Sequence, residues 1–254
     1  MFGLEIWQFW LAVGITAFAG FVKGAIGFAM PMIMLSAFGS LLPATTALAA
    51  LILPTLLTNI QQAFRQGPDA ARNSIRSFRW HIGTVLVFIC VSAGFAQAIP
   101  QGIMYALLGV PIVLFASWQL AGRSLALPLH HRRRAEVGMG VVGGLYGGIS
   151  GIWGPPLIIL LLSLGVDKRE QIRVQGVVFL LGAVVLLIAH LASGVLNAQT
   201  LPLSAVLCIP AFAGMLAGFV LQDRLDVVQF RRWTLILLVL TGANLVRRAF
   251  DFWM

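Results

Sequence analysis

The chain has 254 residues, of which 59% are hydrophobic and only 10% are charged. A soluble domain carries about 25% charged residues, so this composition excludes a soluble protein and indicates a multi-pass membrane protein. The formal net charge of +9 comes mainly from loop arginines, which favours basic cytoplasmic loops over a nucleic-acid-binding surface.

The first half of the chain alternates apolar segments with basic loops. Its apolar segments are 4–21, a short run to Leu42 after the stretch GFVKGAIGFAMP, then 43–64, 80–98 and 102–121. Its basic positions are Arg65, Arg72, Arg76 and Arg79, followed by Arg123 and His130–Arg134 in the central loop. Each plain segment approaches the ~20 residues that cross a bilayer as a helix.

The second half repeats this layout, with apolar segments at 136–152, 154–165, 171–194, 201–221 and 233–250. We therefore predict an all-α polytopic membrane protein built from two transmembrane repeats, 1–126 and 127–254. Each repeat would hold one interrupted helix pair and three plain segments, for a total of eight to ten spans.

Two glycine–proline stretches carry the evidence for the duplication. Their equivalent residues, offset by 124 positions, are Gly20, Gly24, Gly27 and Pro31 in the first half and Gly144, Gly148, Gly151 and Pro155 in the second. The charge bias also flips: the basic loop 65–79 corresponds to an uncharged stretch near 189–203, and the uncharged turn 98–101 corresponds to the basic stretch 222–232. Such a flip is typical of inverted repeats with an odd number of crossings in each.

Each stretch should interrupt a membrane helix. Pro155 and Pro156 lack amide hydrogens and clash with the preceding turn, so a helix must break near Gly154. Broken backbone in a membrane is tolerated only inside protein or beside a wet cavity. The half-helix that follows would present free amides and a positive dipole end, which favours an anion.

This reasoning predicts a substrate site near the middle of the membrane, between two halves that rock about it in alternating access. The backbone candidates are Gly24, Gly27, Gly148, Gly151 and Gly154, and the side-chain candidates are Lys23, Ser150, Trp153 and Gln175. For every Gly-x-x-x-Gly pair among them, close helix packing is the competing interpretation. Lys23 is open to a second one, a position at the membrane edge.

The sequence gives less support to other kinds of functional site. Gly148–Gly151 reads G-x-S-G and His190 lies in the next segment, so an intramembrane serine protease is one alternative; the first repeat, however, has Ile26 where the second has Ser150. An anion channel is another alternative. The G-x-G-x-x-G at Gly138–Gly143 follows no strand and is discounted as a dinucleotide site.

The sequence predicts a non-enzymatic protein of the cell inner membrane with no catalytic residues, no metal and no cofactor. Its partners would be a small anionic substrate and the lipid bilayer, with no nucleic acid, and a homodimer is left open. We find no Asp or Glu deep within an apolar segment, which argues against a carboxylate proton relay and against a cation as the main substrate.

The chain resembles the TauE/SafE family of membrane permeases, the sulfite exporter-like group. The matching stretches are GFVKGAIGFAMPMIM at 20–34, GGLYGGISGIWGPPLIILLL at 143–162 and LGVDKREQIRVQGVVFLL at 164–181. The resemblance implies a transporter of sulfite, sulfoacetate or related sulfonates. This chain departs from many members at Phe28-Ala29-Met30, where they carry glycines, and at Lys23, where they carry Asp.

Overall fold

The computed structural model describes residues 4–96, 98–123, 126, 130–221 and 227–252. All regular secondary structure in these ranges is helical, which confirms the all-α part of the predicted fold class. The helices there are α1 (Ile6–Ile26), α2 (Met30–Gly39), α3 (Ala44–Phe64), α4 (Pro68–Ser77), α5 (Arg79–Ala93), α6 (Gln101–Leu120), α7 (Arg132–Ser150), α8 (Gly154–Ser163), α9 (Lys168–Ala192), α10 (Leu201–Leu221) and α11 (Val227–Asp251).

Six of the described helices are long and apolar enough to cross a membrane, namely α1, α3, α6, α9, α10 and α11. A seventh span results if α4 and α5 count as one, although they meet at a bend of 84°. Both numbers are below the eight to ten predicted. One reason is that the segment predicted at 80–98 is a helix of only 15 residues; another is that α7 opens on three consecutive arginines.

Both predicted helix breaks are present, at equivalent positions and with equal dimensions. α1 ends at Ile26 and α2 begins at Met30, whereas α7 ends at Ser150 and α8 begins at Gly154. α2 and α8 are each 10 residues long and carry proline in their first turn, where its missing amide hydrogen costs nothing. Ten residues are too few to cross a bilayer.

The chain divides into two compact packing units. Unit 1 comprises Met1–Pro54, Gln97–Arg123 and Val195–Met254; unit 2 comprises Thr55–Ala96 and Ser124–Gly194. α3 passes from one unit to the other after Pro54. Each unit thus draws helices from both halves of the sequence, and the predicted repeats 1–126 and 127–254 stay a prediction. Arg224, on which the charge argument partly rests, lies outside the described residues.

In unit 1, two glycine pairs hold α1 against α10 almost backbone to backbone. A Cβ on Gly20 or Gly24 would lie 2.2 Å from the carbonyl oxygen of Ala211 or Met215, respectively. The contact is reciprocal, because a Cβ on Gly214 or Gly218 would strike a carbonyl oxygen of α1 at 2.0 or 2.2 Å. The packing interpretation of these Gly-x-x-x-Gly pairs is therefore correct.

Unit 2 has the corresponding seam between α7 and α5. A Cβ on Gly144 would lie 2.7 Å from the carbonyl oxygen of Val85, and one on Gly148 would lie 2.5 Å from that of Ile89. Ser92 of α5 reinforces the contact by donating its hydroxyl to the Gly144 carbonyl at 3.0 Å. In each unit, the helix that precedes a break is thus packed tightly over its last two turns, before the backbone departs from helix.

Candidate functional site

The first break, in unit 1, spans Gly27 to Ala29. Gly27 ends α1 in the left-handed conformation with φ 87°, and its amide donates to the Lys23 carbonyl at 2.7 Å. This is the usual glycine cap of a helix C-terminus. Ala29 also has a positive φ, 77°, which costs an L-residue other than glycine about 1–2 kcal/mol. The break is therefore held under backbone strain at Ala29.

Lys23 lies in the last turn of α1 and is only 2% exposed. Its side chain is therefore buried inside unit 1, and the position of Lys23 relative to the membrane stays a prediction. Gly24, one residue on, lies in the packed seam with α10. The structure thus gives Gly24 a packing role, and its predicted contact with substrate remains untested.

The second break, in unit 2, has the same construction. Gly151 ends α7 with φ 71°, and its amide donates to the Gly147 carbonyl at 2.7 Å. The Ser150 hydroxyl donates to the Tyr146 carbonyl at 2.7 Å and accepts from the Ile152 amide at 3.0 Å. The Ser150 side chain, which is buried, therefore stabilises the backbone conformation of the break.

Trp153 caps the N-terminus of α8 and is 2% exposed. Its indole lies close to Gly147 of α7 and Gly182 of α9, and its ring meets Phe179 edge-on with centroids 6.3 Å apart. Among the described residues, the indole Nε1 has no hydrogen-bond partner. A buried donor without a partner costs about 1–3 kcal/mol of stability. A bound acceptor at this N–H would offset that cost.

Besides the indole N–H, the start of α8 offers hydrogen-bond donors of the backbone. The first amides of a helix have no partner within the helix, and two of those here are absent because the residues are Pro155 and Pro156. The amides that remain are those of Trp153 and Gly154. A Cβ on Gly154 would lie 3.3 Å from the Phe179 ring, so this amide sits beside the same aromatic wall as the indole.

One face of α9 runs past this break. Gln175, Phe179 and Gly182 follow at spacings of four and three residues, which places them on one side of the helix. Gln175 is 6% exposed. Asn59 of α3 donates its amide to the Phe179 carbonyl at 2.9 Å, and Thr55, one turn earlier, keeps a buried hydroxyl that has no partner in the described part of the chain.

The predicted site residues therefore form two groups. Gly148, Ser150, Gly151, Trp153 and Gly154 lie at the second break, with Gln175 on the α9 face that passes it. Lys23, Gly24 and Gly27 lie at the first break. Sequence reasoning missed Phe179 and Gly182, since nothing in an apolar α9 marks them as neighbours of a break.

The serine protease alternative lacks its dyad. Ser150 is bonded to Tyr146 and Ile152 as described, and His190 Nε2 lies 2.9 Å from the Gly148 carbonyl oxygen. His190 Nδ1 lies 3.3 Å from the Ser193 hydroxyl. Both nitrogens of this imidazole thus have partners other than Ser150, and a base must reach its nucleophile to activate it. The structure does not favour hydrolysis.

The helix that leads into the second break, α7, carries one carboxylate. Glu136 is buried, 2% exposed, and is the first residue of the predicted apolar segment 136–152, so it does not lie deep within that segment. It lies more than three turns before the break on α7 and is paired with Arg132, whose Nε is 2.7 Å from Glu136 Oε1. The described residues hold no cluster of three metal-binding side chains.

Comparison with known proteins gives the family. The chain matches the model of the family described as sulfite exporter TauE/SafE over residues 12–245, a range that takes in both breaks. No curated protein and no solved structure matches the chain. The match confirms the resemblance carried by the two glycine–proline stretches, and the candidate spans agree with it. The chain belongs to the sulfite exporter TauE/SafE family and is a multi-pass membrane transporter.

Proposed function

We propose that this transporter moves a small sulfur oxyanion, sulfite or a sulfonate, across the cell inner membrane by alternating access at its broken helices. The family supplies the substrate class. The observation that supports the assignment to residues is the second break. There the N-cap residue Trp153 keeps a buried indole N–H without a partner in the described residues, beside a half-helix that begins with Gly154 and two prolines.

The chemistry of this break suits an oxyanion. Sulfite offers only acceptor oxygens when it is fully ionised, and it would take hydrogen bonds from the Trp153 indole and the Gly154 amide. The positive end of the α8 dipole adds a favourable field. Gln175, on the passing face of α9, can donate a further hydrogen bond through its side-chain amide.

Gly27 and Gly151 have a different role in this proposal from the one first expected. Their amides cap the preceding helices by donating to Lys23 and Gly147, so these amides are occupied. Each glycine serves the site by ending its helix in a left-handed conformation, which turns the chain toward the next half-helix. Lys23 is buried beside the first cap, where its amino group could donate hydrogen bonds to an oxyanion.

We also propose that the two breaks belong to inverted repeats. The 124-residue offset, the left-handed glycine caps and the equal lengths of α2 and α8 support this equivalence. The seam partners are equivalent as well, because α1 packs on α10 while α7 packs on α5. In such transporters, paired half-helices provide the site and move relative to each other during the cycle.

The test is sulfite flux into proteoliposomes that contain the purified protein. Gly151→Leu forces a branched side chain into a left-handed conformation, and Gly154→Leu crowds the Phe179 ring. We expect both variants to lose uptake. Gly138→Leu is the matched control, because a Cβ there meets nothing within 4 Å, and it should keep wild-type flux.

Size-exclusion profiles must show that the Leu variants remain monodisperse, so that a lost signal reports on the site. Wild-type sulfite uptake by both Gly151→Leu and Gly154→Leu would remove the substrate site from this break. If the wild-type protein takes up another anion but not sulfite, the proposed substrate is wrong, and the proposed location of the site is unaffected.

A further inference from the structure

A second polar site lies in unit 2, away from the break, where α4 meets α5. α4 is a ten-residue helix set at 84° to α5, with Ala71 and Ser74 buried and Arg72 and Arg76 exposed. A short helix with one basic face and one buried face is typical of a helix that lies in the membrane interface. The Arg173 Nε holds it in place by donating to the Ser74 hydroxyl at 3.0 Å.

A cleft of about 310 Å³ opens between this corner and the first turn of α7. Its chemically active lining is four arginines, Arg76, Arg79, Arg132 and Arg133, the indole of Trp80 and the carboxylate of Glu136. The carboxylate is already paired with Arg132. Three guanidinium groups in the lining thus have no carboxylate of the cleft to neutralise them.

These guanidinium groups are held in defined positions. Arg133 lies over the Trp80 ring at 3.8 Å from the centroid, and Arg79 lies over the same ring at 5.5 Å. Arg132 donates to the Ser77 carbonyl at 3.0 Å. Two like charges stacked on one indole repel each other unless an anion lies beside them, and stacked planar guanidinium groups are well suited to bind phosphate in two-point contacts.

An apolar surface leads away from this cleft along α5. Trp80, Val87 and Val91 are 41%, 59% and 50% exposed, and their spacings of seven and four place them on one face of the helix. Along the axis, Val91 lies about 16 Å from Trp80. That length is about half of the hydrocarbon thickness of a bilayer, which is the depth that one acyl chain occupies.

We propose that the cleft between the α4–α5 corner and the first turn of α7 binds the phosphate of an anionic phospholipid, whose acyl chain lies along the exposed face of α5. The continuous apolar face argues for a lipid, since a free phosphate ion would make no use of it. The site stands apart from the substrate site and does not depend on the proposed transport function. Its location agrees with the basic loop 65–79, which the charge distribution places on the cytoplasmic side, where anionic lipids attract basic residues.

The experiment is native mass spectrometry of the purified protein in a non-ionic detergent, titrated with dioleoyl phosphatidylglycerol. Dioleoyl phosphatidylcholine has the same chains and no net charge, and inorganic phosphate tests the free ion. We expect one phosphatidylglycerol molecule to bind at least tenfold more tightly than phosphatidylcholine, and excess phosphate to leave it bound.

The variant pair separates a defined site from general charge attraction. Arg79→Gln/Arg133→Gln removes the two stacked groups, whereas Arg65→Gln/Arg72→Gln removes two exposed charges of the same loop that do not line the cleft. The first double variant should weaken phosphatidylglycerol binding at least tenfold more than the second. Equal losses in the two double variants, or displacement of the lipid by inorganic phosphate, would overturn the proposal.

If the first double variant loses its monodisperse profile, the single variant Arg133→Gln carries the test. It retains Arg79 over the indole and removes the closer guanidinium group. We expect it to lose most of the phosphatidylglycerol preference. Retention of the full preference by a folded Arg133→Gln protein would also contradict the site.

Discussion

Replacing Trp153 by Phe isolates the contribution of one hydrogen-bond donor to substrate binding. The substitution keeps an aromatic ring against Phe179 and removes the indole N–H, which is buried and has no partner in the described residues. A hydrogen bond to a charged group contributes about 1.5–3 kcal/mol. The KM for sulfite should therefore rise by about 10- to 150-fold.

The same substitution should have little effect on the protein without substrate. Removing an unpaired buried donor relieves about 1–3 kcal/mol, while the smaller ring leaves a gap beside Gly182 that costs a similar amount, about 1–3 kcal/mol. The melting temperature without sulfite should thus stay close to that of the wild type. The stabilisation that added sulfite produces should largely disappear.

The assays are sulfite flux in proteoliposomes and thermal unfolding in detergent with and without sulfite. Trp118→Phe is the matched control, because Trp118 lies in unit 1 and stacks with Arg123 instead of capping a broken helix. A wild-type KM in Trp153→Phe would refute the contact between indole and substrate. A large drop in the melting temperature without sulfite would show that the indole serves packing.

Three further substitutions test the backbone and packing on which the breaks depend, each by thermal unfolding. Ala29→Gly should raise stability by about 1 kcal/mol, because glycine adopts the positive φ of 77° without strain; no gain would mean that the strain is absent. Gly148→Ala should cost about 2 kcal/mol or more, since its Cβ would lie 2.1 Å from a side-chain oxygen, whereas Gly138→Ala should be neutral or stabilising. Arg248→Gln should cost about 1–2 kcal/mol because Arg248 donates to the Gly39 carbonyl at the end of α2; an unchanged melting temperature would refute that role.

The helix breaks could be predicted because their causes are local. A glycine in a left-handed conformation ends a helix, and a proline in the first turn favours the start of the next helix. The sequence around Gly151 and Pro155 contains both signals. The helix seams were predictable for a related reason. Gly-x-x-x-Gly pairs such as Gly20 and Gly24 mark a face where another helix backbone can approach, although not which helix does so.

The surroundings of the second break depend on contacts distant in sequence. Phe179 and Gly182 lie 26 and 29 residues after Trp153, on a helix whose apolar sequence does not indicate that Trp153 is its neighbour. Trp153 itself was predicted as a side-chain candidate for the substrate site, but the absence of a partner for its indole N–H among the described residues depends on the neighbours that surround it. The buried side chain of Lys23 follows from tertiary packing in the same way.

The sequence predicts a basic loop at 65–79, where the structure has the corner between α4 and α5, because arginines dominate the residue pattern of this stretch. Pro68 at the first turn and the buried positions Ala71 and Ser74 give the stretch a helical period that the arginine count concealed. Arg248 is a second residue whose role depends on contacts that are distant in sequence. It stacks 4.6 Å from the Tyr105 ring centroid and donates to the Gly39 carbonyl at the end of α2, so its guanidinium group stabilises the packing of α2.

Hydrogen–deuterium exchange of the purified transporter, with and without saturating sulfite, tests most directly whether the anion is held at the broken helices. Slower amide exchange reports local protection by a bound ligand. The account predicts that sulfite slows exchange in peptides that cover 147–158 and 23–34, while a peptide within α6 (Gln101–Leu120) is unaffected. Sulfite flux in the same preparation with unchanged exchange at both breaks would contradict it.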